Sequence, residues 1–467
     1  MTGRLLAVCA LLCGCTGFAE SRIDGDVPGT PALQARQQVP VAPAPAPSQE
    51  ILARLQQGGR VSLAQLIEFA LRTSPATRAT WSDARAAAAL VGSRQSAWYP
   101  EIDLSGGYEY SHRFLSQSAT FTTKDFNAGA QLTWLLLDAG GRSSDISEAR
   151  ALLAASNAAH DQSVQDLILQ VQQAYTQYQA ARALQVSLET SAREARVAYE
   201  AAEALRSHGL ATVADVLQAK TALSQAQLNL TQAEGQVAVL RGSVATAIGV
   251  PATVPIEPEE LPEIDVEKKI QRVEELIAQA QKERPDLAQA RAKALAAQSH
   301  ADAVRWRGWP QILVTGNASR LWFVSPGYPQ GDNYGAALTL RFPLFTGFRD
   351  SYDAAQAREQ ANAAAARAES VEQQAVLAVW TSYQNVQTAG QRVRTSRDLL
   401  RSAEQSAQVA QGRYKEGVGS ILDLLVAQSA LSSARAQEVQ ARADWLLALA
   451  SLAHDTGSLG PAEGEQR

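Results

Sequence analysis

Two stretches of this chain, between Pro100 and Pro251 and between Pro343 and Pro461, contain no internal proline, and from about Ser143 in the first and Asp350 in the second they carry a helical period broken once by a glycine turn. A helix from about Ser143 to His208 would be roughly 100 Å long at 1.5 Å per residue, with a return helix from Thr212 to about Ile248. Such helices do not fit inside a compact domain. They must lie along one another, and Ala149, Ala155, Ala159, Ala174 and Ala181 permit close packing of the coiled-coil kind.

The turn occurs twice. Gly417-Val418-Gly419-Ser420-Ile421-Leu422-Asp423 lies 208 positions after Gly209-Leu210-Ala211-Thr212-Val213-Ala214-Asp215, and Gly457 keeps that offset from Gly249. Glycine supplies the left-handed backbone that ends a helix, and Thr212 or Ser420 caps the next one. Asp215 and Asp423 fall at the third helical position, where a carboxylate completes a capping box and faces the positive end of the helix dipole. Pro285 repeats Pro75, Trp309-Pro310 repeats Tyr99-Pro100 and Gly316 repeats Gly106, all at offset 210. The sequence therefore reads as an internal two-fold repeat, residues 61–249 and 271–457, with a proline-bearing acidic linker at 250–270 and a tail at 458–467.

The first half opens with an amphipathic helical pattern from Ser62, placing Leu63, Leu66, Ile67, Ala70 and Leu71 on one face and reaching Trp98-Tyr99 before Pro100 stops it. Then the period changes. Ile102, Leu104, Gly106, Tyr108 and Tyr110 alternate with Glu101, Asp103, Ser105 and Glu109, which makes a strand with one apolar and one polar face. A polar loop from roughly His112 to Lys124 leads to a second alternating run, with Phe126, Ala128, Ala130, Leu132 and Trp134 on the apolar side, so that 101–135 is a hairpin. A second hairpin at 311–342 has Ile312, Val314, Gly316 and Ala318, then Tyr334, Ala336, Leu338, Leu340 and Phe342. Long helix pairs are expected at 143–248 and 350–456.

The N-terminus is separate. Arg4 followed by Leu5 to Leu12 reads as a secretory signal at 1–14, with an apolar core too short to span a bilayer. Leu12-Cys13-Gly14-Cys15 resembles a bacterial lipobox, which makes Cys15 a lipidation site, and residues 15–60, with Pro40, Pro43, Pro45 and Pro47, form a semi-extended tether. Formal net charge is −5 with basic residues scattered among acidic ones, so nucleic acid is not an expected partner. His112, His160, His208, His300 and His454 lack metal-ligand spacing, and all five read as solvated or packed. No phosphate-binding glycine loop follows a strand. No cofactor and no catalytic site are expected.

Four strands with one apolar face, in two hairpins, have no second sheet to cover them. The bilayer is the available apolar medium, and a sheet there must close. Four strands cannot close alone; two chains would give eight strands and three would give twelve, and the sequence pattern does not choose.

The paired hairpins, the Trp134-Leu135-Leu136-Leu137-Asp138-Ala139-Gly140-Gly141 and Phe342-Pro343-Leu344-Phe345-Thr346-Gly347 junctions, and Arg413-Tyr414-Lys415-Glu416-Gly417 leading into Asp423 resemble TolC-type outer-membrane efflux proteins. The resemblance implies an α plus transmembrane β fold: a homotrimer whose twelve-stranded barrel in outer-membrane lipid continues as a long antiparallel coiled-coil helical tunnel. It implies a periplasmic adaptor protein and an inner-membrane pump, proton-driven or ATP-driven, as partners, and drugs or whole secreted polypeptides as cargo. By resemblance, Asp215, Asp423 and Tyr414 line the periplasmic constriction, with Leu424 and Val426 as an apolar contribution. Gly209, Leu210, Thr212, Gly417, Val418, Gly419 and Ser420 form the adaptor-docking tips. Some family members carry an arginine and a second aspartate where this chain has Gly419 and Val426. Tyr108, Tyr110, Trp134, Trp309, Trp322, Phe323 and Tyr334 are candidates for interfacial aromatic girdles. The alternative is a lipid-anchored coiled-coil scaffold without a pore.

Overall fold

The computed structural model describes residues 60–116, 119–259, 271–324 and 330–459. The expected signal at 1–14, the expected lipidation site Cys15, the tether up to residue 59, linker residues 260–270 and the tail from 460 lie outside the described residues. The described elements are α1 (Leu63–Thr73), α2 (Pro75–Gln95), a 3-10 turn (Ser96–Trp98), β1 (Glu101–Ser116), β2 (Ala119–Leu137), α3 (Gly141–Ser207) and α4 (Val213–Ala247). They continue with α5 (Val273–Glu283), α6 (Pro285–Trp306), β3 (Gln311–Phe323), β4 (Gly331–Arg341), α7 (Arg349–Lys415) and α8 (Ile421–Asp455). Among them no helix is long and apolar enough to cross a membrane.

The opening helix does not run unbroken to Trp98. Ser62 caps α1 by exchanging bonds of 3.1 and 3.3 Å with Gln65. Pro75 then forces its predecessor out of helical conformation, so Ser74 sits at φ −56°, ψ 123° and α2 restarts with Pro75 in its first turn. Arg284 before Pro285 does the same between α5 and α6, at φ −68°, ψ 122°.

Residues 81–158 with 288–370 make one compact unit. It contains a four-stranded antiparallel sheet in the order β1-β2-β3-β4. The register carries the alternation across all strands: Ile102, Leu132, Gly316 and Ala336 lie in one row, and Leu104, Ala130, Ala318 and Tyr334 in the next. The intervening row is polar, with Asp103, Gln131 and Asn317 ending at Gly335. The first hairpin is longer than its apolar pattern. Residues from His112 to Lys124, expected as a loop, are paired strand almost to the tip, and His112 Nδ1 lies 2.7 Å from Thr122 Oγ1. Thr120, Thr122 and Thr123 are β-branched, so they favour strand while remaining hydrophilic; polarity there marks exposure and not a loop. Among the described residues nothing covers the apolar face, and Tyr334 is 86% exposed. Among the described residues, β1 and β4 each keep one edge without a partner strand.

Where β2 meets α3, Arg142 is buried. Its guanidinium donates to the carbonyls of Ala97 (3.0 Å), Leu135 (2.6 Å) and Leu136 (3.0 Å), lies 3.2 Å from Asp138 Oδ1 and stacks 4.1 Å from the Trp98 ring centre. Ala84, Ala88 and Val91 of α2 pack on Ala149 and Leu153 of α3.

The second compact unit comprises described residues up to 80, 159–287 and from 371 onwards. Leu66, Phe69 and Ala70 of α1 pack on Val171, Tyr175 and Tyr178 of α3 and on Val244 and Ile248. The chain leaving α4 is tied down: Val61 and Pro258 form a parallel bridge, and the Tyr175 hydroxyl donates to Glu259 O at 2.7 Å. In like manner Leu276 and Ala280 of α5 pack on Val379 and Val386 of α7 and on Leu452 of α8. Gly249 and Gly457 end α4 and α8 with φ of +77° and +78°. At Gly457 a Cβ would meet the Glu283 backbone at 2.8 Å, so both backbone conformation and space exclude a side chain.

Candidate functional site

The two glycine turns meet in one cluster. Ala198 and Ala202 of α3, Val216 and Ala219 of α4, Tyr414 of α7, and Ile421 and Leu424 of α8 form a continuous buried core, so the structure brings the two copies of the motif side by side. Both turns use the same closure. Gly209 (φ +75°) is followed by Leu210, whose N–H reaches back to Leu205 O at 2.9 Å; Gly417 (φ +71°) is followed by Val418, whose N–H reaches Arg413 O at 3.0 Å.

The carboxylates differ. Thr212 and Asp215 form a complete capping box: Asp215 N–H donates to Thr212 Oγ1 at 3.2 Å, while Thr212 N–H and Oγ1–H donate to Asp215 Oδ2 at 2.7 and 2.8 Å. The backbone N–H of Thr212, then its hydroxyl, hold the Asp215 carboxyl below the usual carboxylate range. At the second turn only the forward half forms, Asp423 N–H to Ser420 Oγ at 3.1 Å. The expectation of two complete boxes is corrected at Asp423, whose exposed carboxylate does not return to the Ser420 amide. A serine hydroxyl alone satisfies the orphan amide there, which leaves the carboxylate free for other partners.

Tyr414 is buried in the cluster with a hydroxyl that has no hydrogen-bond partner among the described residues. Burial first, and the Asp215 charge second, push its ionisation upward, so the phenol stays protonated. Leu424 is 2% exposed and belongs to the helix core, because with Ile421 it recurs at the three-residue spacing that faces the neighbouring helices. Of the apolar pair expected at a constriction, only Val426, 61% exposed, faces outward. Gly419 lies so close to its neighbour that a Cβ would stand 3.0 Å from Arg413 Cβ, so this turn has little room for any longer side chain. At the tips Leu210, Val213, Val418 and Leu422 are exposed apolar residues.

Two polar clusters escaped the sequence pattern. Arg435 of α8 and Glu194 of α3 form a two-armed pair at 3.2 and 3.2 Å. His454 is neither solvated nor merely packed. Its Nε2 lies 2.8 Å from Asp166 Oδ1 and its Nδ1 3.2 Å from Asp455 Oδ1, while Arg284 Nη2 lies 2.6 Å from Asp286 Oδ2 and Arg284 Nη1 2.9 Å from Asp455 O. Ser382 also donates to Asp455. The signal was present in Arg284-Pro285-Asp286 and His454-Asp455, but long sequence separation hid the partnership. His160 is buried with Nδ1 3.0 Å from Thr80 Oγ1, and burial lowers its pKa. No group of three or more potential metal ligands occurs among the described residues.

An outer membrane efflux protein family matches the sequence over residues 66–250 and 276–458. Protein CyaE of Bordetella pertussis (strain Tohama I) is 29% identical over 411 residues, covering 86% of this chain and 85% of that protein. In fold, the outer-membrane channel OprN superposes with a TM-score of 0.77 at 21% identity, covering 85% of this chain and 90% of that one. The outer membrane protein VceC of Vibrio cholerae gives 0.74 at 20% identity, covering 88% and 98%.

Proposed function

The chain belongs to the outer membrane efflux protein family, and on that premise we propose that it is the outer-membrane channel of a tripartite export system. Three copies close a twelve-stranded barrel in the outer membrane, their long helices continue it as a tunnel, and a periplasmic adaptor and an inner-membrane pump engage its inner end. One observation carries this reading: the four-stranded sheet has two unpaired edges and an uncovered apolar face. In lipid, each unpaired edge would leave a row of backbone groups without partners, and only closure with further copies satisfies them. β3 and β4, with 13 and 11 residues, have about the length that a tilted strand of roughly 9–11 residues needs to cross the apolar layer.

The pairs α3 with α7 at 67 residues each, and α4 with α8 at 35 each, support descent of 61–249 and 271–457 from one duplicated unit, with 250–270 as the link between them. The constriction is formed by Asp215, Asp423, Tyr414 and Val426, six carboxylates per trimer, which makes it cation-selective. Leu424 supports it from within the helix core. The tips from Gly209 to Thr212 and from Gly417 to Ser420, with exposed Leu210 and Val418, receive the adaptor. Cys15 carries the lipid anchor.

The test is direct. Full-length protein extracted from outer membranes should cross-link as trimers and conduct ions in planar bilayers, whereas a water-soluble monomer without conductance would reject the channel. Deletion of the gene, read by antibiotic susceptibility and by the secreted protein profile, assigns the cargo to small molecules or to a polypeptide.

A further inference from the structure

The two junctions where strands hand over to long helices differ in one respect that the repeat makes informative. The left-handed pairs Ala139-Gly140 and Gly347-Phe348 and the helix starts Gly141 and Arg349 correspond at offset 208. At the first junction, Trp306 from the end of α6 covers the glycines: a Cβ on Gly140 would stand 3.5 Å from its ring, and one on Gly141 3.8 Å from its Cβ. At the second, a Cβ on Gly347 would meet nothing within 4 Å. Phe348 is 66% exposed and adopts a left-handed φ of 64°, unusual for a bulky residue, and its ring stands edge-on to the exposed Phe345 at 5.5 Å. Sequence alone does not require that backbone at Phe348.

The strand order explains what is missing. The first junction follows β2, and its cover comes from the helix that leads into the neighbouring strand, β3. The second follows β4, an edge strand, so the helix leading into its neighbour is α2 of another copy. At the offset of 210 that relates Trp309-Pro310 to Tyr99-Pro100, the residue of that copy in the place of Trp306 is Ser96. The sizes are exchanged. Small Gly140 meets the large Trp306 ring within the chain, while its left-handed counterpart, large Phe348, is presented where small Ser96 would lie between chains. Compensating volumes of this kind are what close packing demands.

We propose that Phe348 of each copy seats against Ser96, flanked by the exposed Trp98 and Tyr99, of the next copy, and that this aromatic clasp sets the head-to-tail contact that closes the ring. The proposal rests on the trimeric channel reading, and its occupant is a second copy of this chain.

Cysteine pairing tests the contact in the full-length protein. Under mild oxidation the S96C/F348C variant should yield covalent dimers and trimers that survive heating in detergent, and neither single variant should. A volume swap provides the second arm. F348G and S96W should each lower the temperature at which the detergent-resistant trimer dissociates, and F348G/S96W, which restores the arrangement of the first junction, should recover most of the loss. Additive losses in the double variant, or an unlinked cysteine pair in an intact trimer, overturn the clasp. Quenching by nitroxide-labelled lipid of a fluorophore attached to the single cysteine of an F348C variant would also overturn it, by placing that position in the bilayer. Absence of any trimer in the unaltered protein would instead reject the channel reading.

Discussion

Replacing Arg142 with alanine should destabilise the protein far more than replacing Arg349, although both arginines stand in the first turn of a long helix that follows a strand. The Arg142 and Asp138 side chains are 6% and 9% exposed, and the guanidinium serves three carbonyls as well as the carboxylate. Alanine would leave that carboxylate buried with the residue 142 amide as its remaining partner, and would strip the donor from Ala97, Leu135 and Leu136. Breaking a buried pair from one side costs about 3–5 kcal/mol. Arg349 is 71% exposed and lies 3.4 Å from Asp350, a contact of the kind worth roughly 0–1 kcal/mol. The two substitutions should therefore differ by about 3 kcal/mol, on the order of a hundredfold in equilibrium. Urea titration of the detergent-solubilised protein, followed by Trp emission, measures both. D138N/R142M should recover only the part of the loss that comes from the uncompensated buried carboxylate, because the carbonyls of Ala97, Leu135 and Leu136 still lack their donor. Equal midpoints for R142A and R349A would refute the reasoning.

Further outcomes follow from the turns and the polar cluster. D215A/D423A should raise single-channel conductance and weaken cation preference in bilayer recordings; unchanged currents would remove both residues from the gate. Gly417→Ala should cost only the roughly 1–2 kcal/mol of a left-handed L-residue, because its site is open, whereas Gly457→Ala adds a 2.8 Å clash with backbone and should lower thermal stability severely. Comparable losses at the two sites would contradict this. The hydrogen bond to Asp455, opposed by burial and reinforced by Asp166, raises the His454 pKa; burial pushes Asp455 up, but its bonds to His454 and Ser382 bring it below the usual range. His454 therefore contributes fully below its ordinary 6.5 and loses that contribution as pH rises through its raised value, while Asp455 contributes above 3.8 and loses it as pH falls through its lowered value. H454Q should flatten the alkaline limb of stability against pH, and a limb left unchanged would exclude the imidazole as its source.

Local chemistry explains what was legible in the sequence. Gly209, Gly417, Thr212 and Ser420 act through their own backbones and nearest neighbours, so the turns could be placed from residue types alone. Alternation placed both apolar strand faces, because a period of two survives any arrangement of partners. Apolar spacing continues across Pro75 and hides the helix break at Ser74, although the proline itself forbids helical backbone there. Within the first hairpin the residue pattern puts a loop over 112–124 where the strands continue, because threonine is both polar and a strand former. Asp423 shows a subtler limit: the same cap spacing as Thr212 and Asp215 yields only half the box. Arg435 with Glu194, and His454 with Asp166, were invisible since nothing local connects residues hundreds of positions apart.

The first hairpin outgrows the second. At about 3.4 Å per residue, the 19 residues of β2 span roughly 60 Å, and the 11 of β4 under 40 Å. On the channel reading proposed above, with the strands anchored at the helix ends, the surplus of the first hairpin would stand clear on the far side of the lipid as three hydrophilic lobes. The cell's exterior would then wear a scalloped crown rich in threonine, and it is this rim that antibodies and phage would meet first.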